Sequence, residues 1–400
     1  MKEINDLEKY VRKDLPGRFN EIDILKRNWS RVLNIFDGNI LPPFEILIHT
    51  SSICNLCCKW CIGNYVSSKQ NKSNLLPNEL RNVESMKKVI DGILSYKKIG
   101  KDYETGKLKK FKVENVSFSG ITGEPMMSKD SIIYAINKLV DNGIRVGMFT
   151  NGTLLTEDTF DSILRMSYVL ISIDAGNNDT YYKMKCDNKN SDMFDNLLKN
   201  IELLAKKKKE VNSNLDINIG YVINQYNYNQ IYELAIKLKA IGVHYFRLKT
   251  DIASIMLMND AQIKEAKEQI KLVKECCNDN NFELVEIHKL GDEKQKSREI
   301  SKCYIHYLMG AISADGKVYP CNYHPKPNGY SYDSCVNKSF GDIWDNLMQY
   351  DIDTKIPTIC PKVCDPFKNR ANKLLEVAHD IYKTKGIDYL KKCVQDIENM

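Results

Sequence analysis

Six short runs of β-forming residues between positions 44 and 250 alternate with segments of helical periodicity. The runs are rich in Val, Ile, Phe and Tyr, and they are FEILIHT (44–50), VENVSFS (113–119), IRVGMFT (144–150), YVLISID (168–174), LDINIGYVI (215–223) and HYFRLKT (244–250). The segments between them repeat apolar residues at helical spacing, as in Met86, Val89, Ile90 and Ile93. This alternation predicts an α/β fold with a parallel sheet. Six βα units suffice for an open, curved barrel whose reactive site lies beyond the C-terminal strand ends.

The regular alternation stops after residue 260. There follow a long charged helix (260–279), a strand FELVEIH (282–288), a charged linker (291–300) and a region rich in tyrosine and cysteine. The sequence therefore divides into three predicted parts: an N-terminal helical extension (1–43), the partial barrel (44–280) and a second domain that ends in a helix (281–400).

Charge and hydropathy narrow the class of protein. The formal net charge of +6 comes from 58 basic and 52 acidic residues, a balance that does not call for nucleic acid as a partner. The longest apolar stretches, such as 168–173, fall far below the ~18 residues of a membrane helix. The start MKEINDLEKY has no apolar signal-peptide core. We therefore expect a cytoplasmic protein with no membrane partner.

Cysteine is the unusual component, with 13 residues in 400. Because cytosolic thiols stay reduced, metal or redox chemistry explains this number better than disulfides do. Two groups stand out: positions 54, 57, 58 and 61, and positions 303, 321, 335, 360 and 364. The scattered cysteines are interpreted as small buried apolar residues, and they are Cys186, Cys276, Cys277 and Cys393.

The first group has the spacing C-x3-C-x2-C at Cys54, Cys58 and Cys61, directly after the first predicted strand. Three thiolates on one loop can hold three irons of a 4Fe-4S cube and leave the fourth iron open to a substrate or cofactor. Structural zinc is the alternative, because Cys57 creates two abutting C-x2-C pairs. Four thiolates within eight residues leave little loop to wrap a tetrahedron, so zinc is the weaker interpretation.

Four segments together resemble one known family. ICNLCCKWC (53–61), with Trp60 before the third cysteine, resembles the cluster loop of the radical S-adenosylmethionine (radical SAM) superfamily. SGITGEPMM (119–127) is similar to its Gly-Gly-Glu-Pro segment, with Thr122 in place of the first glycine. TNGTLL (150–155) and SIDAG (172–176) also resemble segments of the superfamily, at matching places in the βα order. The resemblance covers about residues 44–250 and implies a partial (β/α)6 TIM-like barrel.

This resemblance implies roles for the first group and for two neighbouring residues. Cys54, Cys58 and Cys61 would hold a 4Fe-4S cluster whose open iron binds S-adenosylmethionine. Gly123 would let the backbone approach the cofactor closely. Glu124 would accept hydrogen bonds from the ammonium group of the cofactor.

Further cofactor contacts are expected at other strand ends. Ser172 and Asp174 would bind ribose hydroxyls or the methionyl carboxylate, although Asp174 could instead be an ordinary strand-end cap. Trp60 would pack against the cluster or the adenine, and Asn151 would contact the adenosyl group or the substrate. Arg247 could bind the cofactor carboxylate or a substrate anion, with a surface ion pair as the alternative.

The second cysteine group resembles the auxiliary-cluster region of the SPASM and Twitch subgroups. Cys303 and Cys321 fit the spacing C-x12-G-x4-C, and ISADGKVYP (312–320) predicts a hairpin that brings the two thiols together. SPASM regions have seven cysteines, and their middle C-x2-C pair is not evident here. The shorter Twitch form implies one auxiliary 4Fe-4S cluster on four ligands, which would be Cys303, Cys321, Cys360 and Cys364. Cys335 is an alternative fourth ligand, and structural zinc an alternative occupant.

The resemblance implies an oxidoreductase or maturase, supplied with electrons by a reductant such as flavodoxin or ferredoxin. It would cleave S-adenosylmethionine reductively to a 5'-deoxyadenosyl radical, which takes a hydrogen from the substrate. The substrate is either a peptide or protein (crosslinked, epimerised or oxidised) or a small molecule such as a sugar or aminocyclitol. Epimerisation needs a thiol hydrogen donor, for which Cys335 and Cys186 are candidates. A non-catalytic metal-binding protein is the remote alternative.

Overall fold

The computed structural model describes residues 2–15, 19–63, 76–121, 123–185, 192–252, 254–291, 302–326, 329–350, 352–360 and 364–399. Thr122 and Cys186 lie outside these ranges, as does the predicted linker beyond residue 291. The described strands are β1 (Glu45–Ile48), β2 (Lys97–Lys101), β3 (Leu108–Lys112), β4 (Asn115–Phe118), β5 (Arg145–Thr150), β6 (Tyr168–Ser172), β7 (Asp216–Ile223), β8 (Tyr245–Thr250), β9 (Glu283–Glu286), β10 (Met309–Ile312) and β11 (Val318–Tyr319).

Helices occupy most of the connections between strands. The described helices are α1 (Lys2–Glu8), α2 (Glu21–Arg27), α3 (Trp29–Phe36), α4 (Val83–Ser95), α5 (Lys129–Asp141), α6 (Glu157–Ile163), α7 (Asn178–Lys185), α8 (Met193–Glu210), α9 (Ile231–Ile241), α10 (Asp260–Cys276), α11 (Ile305–Leu308), α12 (Phe340–Asp345), α13 (Ile352–Ile359), α14 (Pro366–Lys385) and α15 (Ile387–Asn399). Short 3-10 helices cover Glu79–Arg81, Pro125–Ser128 and Leu347–Tyr350.

The main sheet of the described chain has nine strands in the order β11-β10-β1-β4-β5-β6-β7-β8-β9. All neighbours are parallel except β10 and β11, which are antiparallel. The six strands predicted between residues 44 and 250 are confirmed, and so is the open barrel, because the outer strands β9 and β11 do not pair with each other. The small β2-β3 hairpin stands apart as a second sheet.

Strands from beyond residue 280 extend the sheet at both ends. β9 pairs with β8 at one end, and β10 pairs with β1 at the other. The division into domains near residue 280, which stays a prediction, therefore falls within one continuous sheet. The predicted hairpin is confirmed by β10 and β11, with Gly316 at a φ of +72° in its turn.

Buried apolar faces hold the layers together. The helix α8, for example, buries Leu197, Ile201 and Leu204, which lie three or four positions apart on one face. The N-terminal segment covers the outer edge of the sheet, because the Arg12 guanidinium donates hydrogen bonds to the carbonyls of Glu286 and Ile287 at 3.0 and 3.1 Å. No helix in the described part of the chain is long and apolar enough to cross a membrane.

Candidate active site

The first cysteine group lies on the loop after β1, where the carboxyl ends of the parallel strands meet. Cys58 is half-buried and packs beside Trp60. Burial raises the pKa of the Cys58 thiol, the Lys185 ammonium opposes that shift, and the Cys61 and Cys54 thiols add to it. Cys58 therefore interacts with both of the other thiols predicted to bind the cluster. This is the donor set that a site-differentiated 4Fe-4S cube requires.

The end of α7 fixes the backbone of the cysteine loop. The N–H of Cys57 donates to the Lys185 carbonyl at 2.9 Å, and the N–H of Lys59 donates to the Met184 carbonyl at 3.1 Å. The Cys57 residue itself is exposed. These two bonds anchor the middle of the loop, so that its orientation depends on a helix more than 120 residues away in sequence.

Gly123 packs directly under the loop. A Cβ atom at this position would lie 2.3 Å from the Ser51 carbonyl oxygen and 2.6 Å from that of Ile53. Both obstacles are backbone atoms, which cannot rotate away. The N–H of Glu124 donates to the Ile53 carbonyl at 2.9 Å. The close backbone approach predicted for Gly123 is thus to the cysteine loop, and its approach to the cofactor stays a prediction.

The Glu124 carboxylate is buried and ties two strand ends together. It accepts hydrogen bonds from the N–H of Asn151 at 2.8 Å, from the N–H of Met126 at 3.2 Å, and from the Thr150 hydroxyl. Burial raises the pKa of Glu124, with these hydrogen bonds opposing the shift. A carboxylate has about four acceptor positions, so three bonds within the protein leave room for one more donor. The expected bond from the cofactor ammonium stays a prediction.

Asn151 connects its own strand end to the cysteine loop. Its side-chain N–H2 donates to the Asn55 side-chain oxygen at 2.8 Å and lies 3.9 Å from the Cys54 sulfur. The Asn55 amide in turn donates to the Thr153 hydroxyl at 2.8 Å. The structure therefore places Asn151 next to a predicted iron ligand, and its contact with the adenosyl group or the substrate remains untested.

Asp174 and Lys185 form a buried ion pair that the sequence did not reveal. The Lys185 ammonium lies 2.9 Å from the Asp174 carboxylate, and both side chains are at most 5% exposed. Lys185 also donates to the Ser172 carbonyl. Burial works to lower the pKa of Lys185, and Asp174 outweighs it and raises that pKa. Asp174 adopts a left-handed φ of +55° and accepts a bond from the N–H of Val222 at 2.6 Å, which are features of a strand-end cap.

The remaining predicted cofactor residues are Trp60, Ser172 and Arg247. Trp60 is buried against Met184 and Met256, and the Lys185 ammonium lies 5.9 Å from its ring centre. Ser172 and Arg247 lie at one level of the sheet, with Gly220 between them in register. The Arg247 guanidinium lies 4.9 Å from the ring centre of Phe19, in the N-terminal segment. Cofactor contacts by these side chains stay predictions.

The structure gathers four cysteines of the second group from three segments. Cys303 precedes α11, Cys321 follows β11, and Cys360 and Cys364 lie between α13 and α14. Burial raises the pKa of Cys303 to about 12, with Cys321 and Cys360 adding to the shift. Burial also raises the pKa of Cys364, again with Cys321 and Cys303 adding to it. Cys303 therefore interacts with each of the other three thiols.

His324 is a further member of this second group that sequence reasoning missed. Its Nε2 lies 3.6 Å from the Cys360 sulfur, and the residue is only 3% exposed. Burial works to raise the pKa of Cys321, and His324 outweighs it and lowers the value to about 7. Conversely, burial opposes protonation of His324, and the Cys321 and Cys360 thiols outweigh it and raise its pKa to about 9. A histidine three residues after a predicted ligand was a signal available in the sequence.

Cys335 lies apart from these four thiols. It is 3% exposed within the hydrophobic core, its N–H donates to the Gly316 carbonyl at 2.8 Å, and burial alone raises its pKa. Neither suggested role, fourth ligand or hydrogen donor, gains support from this position. The second candidate donor, Cys186, lies outside the described residues.

The arrangement of the thiols bears on which metal group they fit. Across the described ranges, no three Cys, His, Asp or Glu side chains converge as closely as the ligands of a single metal ion do. Zinc draws four ligands to within about 2.3 Å of one point, whereas a 4Fe-4S cube holds its thiolates around a larger body. The first group keeps the three thiolates expected for a 4Fe-4S cluster, and an auxiliary cluster in the second group stays a prediction.

Known proteins resemble the chain in sequence and in fold. An AdoMet-dependent heme synthase of Methanosarcina barkeri is 26% identical over 319 residues, which is 73% of this chain and 79% of the relative. The structure of Streptococcus suis SuiB bound to precursor peptide SuiA has a TM-score of 0.56 and 16% identity, covering 85% of this chain and 75% of SuiB. Native anSMEcpe with bound AdoMet and Cp18Cys peptide has a TM-score of 0.54 and 14% identity, covering 89% of this chain and all of anSMEcpe.

The two structural likenesses have low identity and concern the fold alone. The family assignment comes from the sequence, because residues 48–235 match the model of the Radical SAM superfamily. This range begins at the end of β1 and takes in the three-cysteine loop, Gly123, Glu124 and the Asp174–Lys185 pair. Residues 48–235 therefore form a radical SAM domain, of the superfamily that uses a 4Fe-4S cluster with S-adenosylmethionine.

Proposed function

We propose that this radical SAM enzyme modifies a peptide or protein, with a second iron-sulfur cluster in its C-terminal region. The observation that carries the proposal is the extent of the likeness to SuiB bound to its precursor peptide, which covers 85% of the chain and so reaches beyond the six predicted barrel strands. The likeness to anSMEcpe with a bound peptide covers 89% of the chain. The substrate would be crosslinked, epimerised or oxidised.

Residues of the first group would hold the catalytic cluster and its cofactor. Cys54, Cys58 and Cys61 provide three thiolates, and the fourth iron would bind S-adenosylmethionine. When bound, the cluster and its cofactor supply reductive cleavage to a 5'-deoxyadenosyl radical. The buried Lys185 would orient a carboxylate of the cofactor, since its ammonium already lies beside Cys58, Asp174 and Trp60. Ser172, at the end of β6, would bind a ribose hydroxyl.

The second group would hold an auxiliary 4Fe-4S cluster of the Twitch type. Its four thiolates would be those of Cys303, Cys321, Cys360 and Cys364, and Cys303 interacts with each of the other three. A cluster with four protein ligands has no open iron, so it would carry electrons or position the substrate rather than bind it. The reductant for the first cluster would be a flavodoxin or a ferredoxin.

Action on a small molecule is the second candidate function. The sequence relationship to AdoMet-dependent heme synthase favours it, because the name of that protein describes a small-molecule product. The match spans 79% of the length of the heme synthase. The two candidates share the chemistry at the first cluster and differ in what binds next to it.

Anaerobic reconstitution tests the shared part of the proposal. The protein should hold about eight irons and, with dithionite, convert S-adenosylmethionine into 5'-deoxyadenosine. About four irons per chain would remove the auxiliary cluster from the proposal. Failure to cleave the cofactor under reducing conditions would contradict the proposed catalytic site.

Mass spectrometry of turnovers in deuterated water separates the candidate outcomes. Peptides encoded next to this gene and small metabolites would be incubated in parallel, and only the true substrate class should change mass. A loss of two hydrogens identifies oxidation or crosslinking, whereas uptake of one solvent deuterium identifies epimerisation through a thiol donor. Turnover of metabolites without any change in the peptides would refute the first candidate.

A further inference from the structure

The turn after β11 places an imidazole among the sulfurs of the second cysteine group. His324 follows Cys321 by three residues, and its backbone N–H donates to the Cys321 carbonyl at 3.1 Å, which fixes the turn. The side chain points inward and is 3% exposed. Its Nε2 lies 3.6 Å from the Cys360 sulfur, within hydrogen-bonding distance for sulfur, and the ring also interacts with the Cys321 thiol.

No structural task in the fold explains this histidine. A buried imidazole normally satisfies its ring nitrogens with backbone carbonyls or carboxylates. The His324 side chain instead contacts the sulfur of Cys360 and also interacts with the sulfur of Cys321. The imidazole therefore bridges two cysteines that are 39 positions apart in sequence, one after β11 and one after α13.

We propose that His324 is a positioning residue for the auxiliary cluster, donating a hydrogen bond from Nε2 to the sulfur of Cys360, beside Cys321, and thereby raising the reduction potential of that cluster. The inference rests on the proposed function, because it requires the four-cysteine auxiliary cluster. Hydrogen bonds to the ligand sulfurs stabilise the reduced cluster, which carries one more negative charge than the oxidised one. Removing the donor should make reduction less favourable.

Contacts to a sulfur in the first cysteine group include the N–H of Leu56 at 3.4 Å and the amide of Asn151 at 3.9 Å, both to Cys54. The second group has a comparable backbone contact, from the N–H of Tyr323 to Cys321 at 3.4 Å, and the imidazole in addition. A higher potential would suit the auxiliary cluster to accept an electron from the substrate radical.

The experiment isolates the auxiliary cluster in the full-length chain. In a parent variant, Cys54→Ala, Cys58→Ala and Cys61→Ala remove the first cluster, so that about four irons and one EPR signal remain. His324→Leu and His324→Gln are introduced into this parent, and His379→Leu is the control. His379 lies in α14 against the rings of Phe36 and Tyr304. EPR-monitored redox titrations then give the potential of each variant.

We expect all variants to keep four irons. The reduction potential of the cluster in His324→Leu should be lower than in the parent by at least about 59 mV. For one electron, this corresponds to a tenfold lower equilibrium constant for reduction. His324→Gln, which keeps an N–H donor, should lie closer to the parent, and His379→Leu should match it. A His324→Leu variant with four irons and an unchanged potential overturns the inference, as does loss of iron in that variant, which would make His324 a ligand. A parent that binds no iron refutes the auxiliary cluster itself, so the two failures are distinguishable.

Discussion

The two cysteine groups of this enzyme are assembled in different ways. The first places three thiols within eight residues on a single loop after β1. The second collects four thiols from positions 303 to 364, before α11, after β11 and on both sides of the connection between α13 and α14. In the first group the spacing of the residues alone brings the sulfurs together. In the second, the tertiary structure has to do so.

This difference determines how each group responds to damage. A local group costs little chain entropy to assemble, and only its orientation depends on neighbours such as Gly123 and Lys185. A dispersed group exists only if the hairpin β10-β11 and the helices around it pack correctly. We therefore expect that substitutions in the first loop will mainly affect cofactor chemistry, and that substitutions in the second group will affect iron content and product formation while sparing cofactor cleavage.

The largest effect should come from Cys58→Ala. The cube loses one of three anchors, so cleavage of S-adenosylmethionine should fall to the background rate. The matched control is Cys57→Ala, one position away, because Cys57 is exposed and its backbone N–H makes its bond to Lys185 whatever its side chain. Production of 5'-deoxyadenosine by the reconstituted variants is the measurement. Equal loss in both variants would mean that Cys57 is a ligand and that the three-cysteine assignment is wrong.

The next effect should come from Cys321→Ala. This variant should lose about four of eight irons and most product, yet keep much of the cofactor cleavage, because the first loop lies on another part of the sheet. Cys335→Ala should keep all the irons, since that thiol lies in the hydrophobic core apart from the other four. Iron analysis and product assays separate the cases. A loss of four irons in Cys335→Ala would restore it as the fourth ligand.

The sequence allowed most of the barrel to be predicted, because alternating β-rich and helical patterns are local signals. The strand expected at 168–174 is observed as β6 (Tyr168–Ser172), and the Asp-Gly turn gave the hairpin of β10 and β11. The first three ligands were predicted for the same reason. What was missing is non-local: β9 was expected as a strand, but its pairing with β8 in the same sheet depends on packing that no short pattern encodes.

The charged partners of the site were missed for a related reason. Lys185 is one of two lysines in the last turn of α7, and its burial beside Asp174 depends on contacts between separate strands and helices. His324 could have been identified from the sequence, because a histidine near a predicted ligand cysteine is a recognisable pattern. Buried ionic and sulfur contacts are set by tertiary packing, so a sequence shows the residue types without their partners.

A smaller effect should come from Lys185→Met, which alters the ion pair beside the first loop and leaves its cysteines in place. Lys185→Met leaves the buried Asp174 carboxylate without its partner, which should cost roughly 3–5 kcal/mol of unfolding free energy. The double variant Lys185→Met/Asp174→Asn removes both charges and should recover much of the loss. Anaerobic urea titrations of the single and double variants measure this. If the single variant were as stable as the wild-type protein, the Asp174 carboxylate would not depend on Lys185 as its buried partner.

The smallest effect should come from Gly123→Ala, which tests how rigidly the first loop is held. The added Cβ would meet the carbonyl oxygens of Ser51 and Ile53 at 2.3 and 2.6 Å, so the loop must move, at a cost of roughly 1–3 kcal/mol. Gly38→Ala is the control: its φ is +82° with open space around it, so only backbone strain of about 1 kcal/mol is expected, with unchanged cofactor binding. Thermal unfolding and equilibrium dialysis with S-adenosylmethionine measure both quantities. If Gly123→Ala destabilises the protein and leaves cofactor binding unchanged, the loop tolerates displacement. Cofactor binding would then depend on the close spacing of the three cysteines in the sequence rather than on the packing of Gly123 against the loop.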